Sequence, residues 1–432
     1  MFRMRLRTCF VLTVGLLLLS GCESNVEPVP PGASSVRHDV IPAATDTWPG
    51  VFDPFTVLSL HLDLSNTDWD KIRRDITNTI EVPAQFYADG EAPIAVTVRR
   101  KSSRALPSES NPVKVGLKVK TVTGRWHGVT TLSLENGGDV GPVAEGFAWN
   151  LHEMASIDGY YGASYHPALA SWVRVYVNGA YVGVYVNAEQ RNKQFLRNRF
   201  GTTTGLWLYE VDEANIWELE AGDPHSPTWN ALCFAPFNQT TYSGKKAVGG
   251  CAMPSDAQLE TLLNQYIDMR AMLVQGAIDA FTDNNDALFN HSKNYSFVDF
   301  AEGMGQRRMY YPWDLDAVFR STTDNIYGSV SGKNNKLVQQ PFETVILNHP
   351  AFRAQYNEIM LGLFDPAGPL SEANQHAFLD GVQAVLQPAL EQDPYLSAEF
   401  GTAQFAFLKS WVSSRIPSVR TQALNNLPAP RH

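Results

Sequence analysis

Two acids, Asp314 and Asp316, sit inside the aromatic and aliphatic run YYPWDLDAVF (Tyr310–Phe319). A carboxylate in an apolar setting is costly unless a base or a bound metal pairs with it. Upstream, a polar segment supplies Asp283, Asn284, Asn285, Asp286, Asn290 and Asn294. Carboxylate and amide oxygens together are the donors Mg²⁺ prefers, with phosphates and water completing its shell. A separate carboxylate beside them could accept a hydroxyl proton. The plainer alternative is a pair of capped or ion-paired acids, with Arg307 or Arg308 as partner.

The elements around these residues must bring them together. YSFVDF and RRMYYPW flank AEGMG and read as a hairpin. A hairpin returns the chain, so Asp286, Asn294 and Asp314 are expected at one end of it. On a strand, Asp314 and Asp316 would share a face. A base Asp, a metal-binding Asn, a hairpin and then a metal-binding Asp follow the order of a protein-kinase active site. Asp283 is an alternative base. Such a site also needs a strand Lys paired with a helix Glu. NPVKVGLKVKTVTG puts Val113, Val115, Leu117 and Val119 on one strand face, and Lys114, Gly116, Lys118 and Lys120 on the other. GPVAEGFAWNLHEMAS (Gly141–Ser156) reads as a helix carrying Glu145.

Further out, FTVLSLHLDLS and IAVTVRR read as strands, and SWVRVYVNGAYVGVYVNAE as a hairpin about Asn178-Gly179. Glu189, at the end of that hairpin, is either a site acid or a structural anchor. Ser255 with Gln258 forms a capping box that opens a long helix, apolar at helical spacing through Phe281. From about Phe342 the chain is mostly helical, and no fixed-period repeat occurs. Residues 51–210 thus form a β-rich lobe, 211–254 an irregular insertion, and 255–428 a mainly helical lobe with the polar loop at its start.

On these residues the sequence resembles the CotH-type kinases, relatives of the spore-coat protein CotH with an atypical protein-kinase-like fold. The resemblance spans most of the chain after its N-terminal segment. It rests on VYVNGAYVGVYVNAEQ, DALFNHSKNYSF, PWDLD, NHPAFRAQY and LKSWVSSR, together with SSR (Ser102–Arg104) ahead of PVKVGLKVK. It implies an α+β, two-lobed kinase-like fold that binds ATP with Mg²⁺ or Mn²⁺. It implies Asp286 as the catalytic-loop acid and Asn294 and Asp314 as metal ligands. Asp316 is a second ligand or a structural acceptor. Lys114, then Lys118, would contact the nucleotide, with Glu145 as the ion-pair partner. The chain departs from the family in reading RRKSSR, with Arg100 and Lys101, where a Gly is frequent, and in carrying Glu210 where many members have Lys. It has no G-x-G-x-x-G loop.

The ends and the cysteines set the compartment. Arg3, Arg5 and Arg7 precede the apolar run CFVLTVGLLLL, and LLSGC ends in Cys22. This resembles the signal (1–21) and lipobox of a bacterial lipoprotein, lipidated at Cys22, with 22–50 as a Pro/Ser tether. Glu23, rather than Asp, follows Cys22, which favours the outer membrane or cell surface over inner-membrane retention. Cys9 leaves with the signal, so Cys233 and Cys251 remain as a disulfide candidate in an exported chain. The 432 residues are 44% hydrophobic and 18% charged, an ordinary globular composition. The formal charge of −10 becomes more negative once the three signal arginines are lost, which disfavours nucleic acid as a partner.

Other catalytic patterns fail. GASYH lacks the second Gly of a nucleophile elbow, so Ser164 is ordinary. His152, His166 and His291 have no metal-type spacing. Two functions remain: a kinase transferring the ATP γ-phosphoryl to Ser or Thr of envelope proteins, or a non-catalytic envelope-binding lipoprotein on the same fold.

Overall fold

The computed structural model describes residues 48–106, 114–157, 167–210, 216–218, 226–238, 250–328, 330–331, 337–338 and 342–426. Cys22, the signal segment and the tether up to residue 47 lie outside them. So do Ser164 and His166.

Period-two patterning builds the first half into a closed barrel of seven strands. These are β1 (Leu58–Asp63), β2 (Glu81–Ala88), β3 (Ile94–Leu106), β4 (Lys114–Thr121), β5 (Thr131–Glu135), β6 (Ala170–Val177) and β7 (Ala180–Glu189). Their order is β1-β2-β3-β4-β5-β7-β6, and a parallel β1–β6 pairing, with Leu60 opposite Val175, closes the ring. Val115, Leu117 and Val119 point inward as the β4 alternation requires, packing with Leu60, Val98, Leu134 and Tyr185. At the β6–β7 turn, Asn178 (φ 51°) and Gly179 (φ 77°) both adopt the left-handed backbone that a tight hairpin needs. Closure removes the free edges that an open β-lobe would expose.

Between β1 and β2 lies α1 (Asn66–Arg74), and between β5 and β6 lies α2 (Pro142–Ile157). The latter is buried along most of its length, with Gly146 against the Trp172 ring of β6. After β7, α3 (Lys193–Phe200) leads to β8 (Leu206–Glu210). That strand joins a separate four-stranded sheet of order β11-β10-β8-β9, not the barrel. The sheet comprises β9 (Ile216–Glu218), β10 (Tyr295–Phe300) and β11 (Met309–Pro312), so YSFVDF and MYYP form the expected hairpin, with Tyr295 opposite Pro312.

The disulfide Cys233–Cys251 is formed, next to α4 (Pro227–Ala231). The long helix expected after Ser255 is instead two, α5 (Asp256–Tyr266) and α6 (Met269–Phe281). Ile267 is extended at the break because the chain bridges there to Arg308: Arg308 N–H donates to Tyr266 O and Asp268 N–H to Arg308 O, each at 2.9 Å. Asp268 then caps α6. A short pair, β12 (Val330–Ser331) and β13 (Leu337–Val338), precedes α7 (Pro350–Leu363), α8 (Glu372–Leu390) and α9 (Phe400–Asn425). The fold is therefore mixed α and β, a barrel joined to a sheet and a helical array. Among the described residues no helix is long and apolar enough to cross a membrane.

Candidate active site

Asp286 lies in the loop between α6 and β10. Buried Asn284 fixes that loop from inside. Its side chain donates to Asp279 Oδ1 and accepts from Asp286 N–H, both at 3.1 Å, and Asn285 N–H donates to Ala317 O at 3.2 Å. The last bond ties the loop to the WDLDA segment. The Asp286 carboxylate meets Lys293 Nζ at 2.7 Å, His291 Nδ1 at 3.4 Å and Asn294 Nδ2 at 3.5 Å. Burial alone would raise its pKa, but the contacts from His291 and Lys293 outweigh that and hold it below the usual carboxylate value. Asp283 does not share this setting. It accepts from Ser321 N–H, and burial, helped by Asp324, pushes its carboxyl up to about 6.

Asn294 and Asp314 flank the mouth of the hairpin, where Trp313 N–H donates to Asn294 O at 2.8 Å. Both take positive φ (53° and 54°), a conformation Asn and Asp adopt more readily than most residues. Strand β11 stops at Pro312, so Asp314 and Asp316 do not share a strand face as the sequence suggested. The turn at Asp314 leaves that side chain half-buried and carries Asp316 inward against Gly138. A Cβ on Gly138, whose φ is +46°, would fall 2.4 Å from the Asp316 Cβ, so only glycine allows this approach. Arg307 and Arg308 do not pair with these acids: Arg307 donates to Asn264 O, and buried Arg308 is held by Asp299.

Glu145 faces the same space from α2. It is buried, its Oε2 has no hydrogen-bond partner, and its pKa is raised well above the ordinary range by burial and then by Glu135, Asp316 and Asp314. The opposing cation is Lys101 of β3. Its ammonium pairs with Glu135 and stands 4.4 Å over the Trp313 ring, while Arg191 approaches the same ring at 4.2 Å.

The expected Lys114–Glu145 pair is not formed. Lys114 starts β4 where the outer barrel face is covered by the chain after α8, and its buried ammonium bonds Asp393 Oδ2 at 2.9 Å. Burial pulls its pKa down, and Asp393 opposes that pull. Lys118 points to the outer face, as expected, and lines a cavity of about 810 Å³ described below. Glu189 proves to be an anchor, accepting from Arg199, Trp48 Nε1 and Leu169 N–H. His152 is buried and pushed down to about 3 by desolvation, so it stays neutral. Among the described residues, no three His, Cys, Asp or Glu side chains are grouped to hold a metal alone.

Sequence reasoning missed Lys101 and Glu135. A signal for Lys101 was present in RRKSSR, a cation inside a strand where the family resemblance departs. Glu135 is the last of the alternate polar positions Thr131, Ser133 and Glu135, just before Gly137-Gly138.

A protein-family model described as CotH kinase protein matches residues 97–418. A solved structure, that of the Helicobacter pylori proinflammatory kinase CtkA, is similar at 10% identity, covering 72% of this chain and 94% of its own, with a TM-score of 0.36. No curated protein matches.

Proposed function

The chain belongs to the CotH kinase protein family, and from that premise we propose that it transfers the γ-phosphoryl of ATP to Ser or Thr hydroxyls of envelope or surface proteins. The barrel and the helical array would act as the two lobes of an atypical kinase-like arrangement, with the acid cluster between α2 and the WDLD turn as the site. One juxtaposition carries this reading: Lys101, Glu135 and Glu145 gather against Asp314 and Asp316, while Asp286 touches Asn294 on the same side of the hairpin.

The donors fit Mg²⁺ or Mn²⁺. Asn294, Asp314 and Asp316 offer hard oxygens, and Glu145 Oε2 is a buried oxygen without a hydrogen-bond partner beside them. Such an ion uses few protein carboxylates and completes its shell with phosphate and water. When bound, it would neutralise charge between the phosphates. Asp286, kept ionised by Lys293 and His291, orients the substrate hydroxyl and takes its proton. Lys101, rather than Lys114, is the cation placed to meet phosphate oxygens. The Trp313 ring against it restricts where the ammonium can go.

The location proposed is the bacterial envelope, at the outer membrane or cell surface, with the membrane reached only through lipid on Cys22. The deciding experiment is transfer of radiolabel from ATP to the protein or to envelope proteins, with Mg²⁺ or Mn²⁺, for wild type and Asp286→Ala. The reading requires label with wild type and its loss with the variant. No label, together with no nucleotide-dependent thermal shift, overturns it.

A further inference from the structure

The cavity beside Lys118 has a basic lining in an acidic chain. It measures about 810 Å³ and lies between β4, the β4–β5 turn and the start of α3. Four cations border it, Lys118 and Lys120 from β4 and Lys193 and Arg197 from α3, in a protein of formal charge −10. The remaining lining is mostly Thr hydroxyls and the amides of Gln190, Asn192 and Gln194. None of the described residues that line it is acidic or aromatic. A nucleotide base needs flat apolar walls, and the largest apolar side chain here is Val122, itself 58% exposed.

The cations form two rows. Lys118 and Lys120 alternate on one strand face, about 6.6 Å apart along the strand. Lys193 and Arg197 are four residues apart on one helix face, neighbours at about 6 Å. An extended peptide repeats same-side positions at about 6.6 Å as well. Gln190 lines the cavity, and the next residue, Arg191, covers Trp313.

We propose that this groove binds an extended acidic segment of a partner protein, carboxylates on alternate residues meeting the two rows of cations. The inference goes beyond phosphoryl transfer and does not rest on it, because binding is read without nucleotide.

The test is fluorescence anisotropy of an end-labelled heptapeptide carrying Glu at every second position, with the full chain. Binding should tighten as salt is lowered and weaken at least tenfold in Lys120→Glu and in Lys193→Glu, both exposed positions. Lys120→Gln and Lys193→Gln should fall between, at unchanged melting temperature. An isomeric peptide with its Glu residues contiguous should bind more weakly than the alternating one. Failure of wild type to bind at low salt, or unaltered binding by both charge reversals, overturns the proposal. Displacement by ATP or inorganic polyphosphate at concentrations below that of unlabelled peptide would also overturn it, making the groove a phosphate site.

Discussion

The position of Lys114 separates a structural lysine from a nucleotide-binding one, and its substitution tests the assignment quantitatively. Lys114 and Asp393 have side chains 1% and 0% exposed, and Asp393 also accepts from Val184 N–H at 2.7 Å and Tyr395 N–H at 2.9 Å. Lys114→Met removes the cation and leaves a buried carboxylate with only those two donors. Stranding one member of a buried pair costs about 3–5 kcal/mol. With an unfolding entropy of about 0.8 kcal/mol/K for a folded body of this size, the melting temperature should drop by about 4–6 °C. Asp393→Asn should cost a comparable amount by stranding the ammonium. The double variant should recover most of the loss, because a neutral Met/Asn pair keeps an acceptor for Val184 N–H and buries no lone charge. The assay is thermal unfolding followed by circular dichroism, with and without ATP and Mg²⁺. Any nucleotide-dependent shift should survive Lys114→Met and vanish in Lys101→Met. If Lys114→Met melts within about 1 °C of wild type and loses the nucleotide shift, Lys114 faces the nucleotide and the argument from Asp393 is wrong.

Asp279 should make stability depend on pH. Burial raises its carboxyl to about 7, so the native state holds a proton that the unfolded chain releases near pH 4. Its contribution is complete below that and lost as pH rises to about 7. Asp279→Asn should therefore gain stability over wild type progressively from pH 5 to 8, on the order of 3 kcal/mol; parallel melting profiles would refute this. The disulfide closes a loop between residues 18 apart, which corresponds to about 3 kcal/mol of unfolded-state entropy. Cys233→Ser/Cys251→Ser should lower the denaturant midpoint accordingly, and an unchanged midpoint would show that the link adds nothing. Cys22→Ser should abolish incorporation of labelled fatty acid in cells; persistent labelling would remove the lipoprotein proposal.

Local patterns were legible in the sequence because their physics is local. The β4 alternation, the Asn178-Gly179 turn, the capping box at Ser255 and the YSFVDF–MYYP hairpin all appear, and Asp286 and Asn294 do converge. What the sequence hid depends on distant covering groups. Lys114 and Lys118 occupy one strand face, yet nothing nearby in the sequence shows that Asp393 covers one and a cavity the other. The sequence shows Lys101 as a departure but not as a site residue, because β3 shifts register between Arg100 and Ala105, which breaks a simple odd–even count. Asp314 and Asp316 parted because the strand ends at Pro312, and Gly138, far upstream, makes room for Asp316. Barrel closure could not be foreseen either, since β1 and β6 carry no signal naming each other.

That closing pair also governs the order in which the protein can form. Leu58 pairs with Val173, and β7 lies between β5 and β6, so the ring stays open until the seventh strand has been made. At about 5–20 residues per second of synthesis, strands β1 to β5 spend several seconds with two unpaired edges. Non-local pairing of this kind is slow and leaves edges open to wrong partners. The early strands are therefore exposed to wrong pairing during synthesis, and substitutions that make β1 stickier should lower yield before they alter the finished molecule.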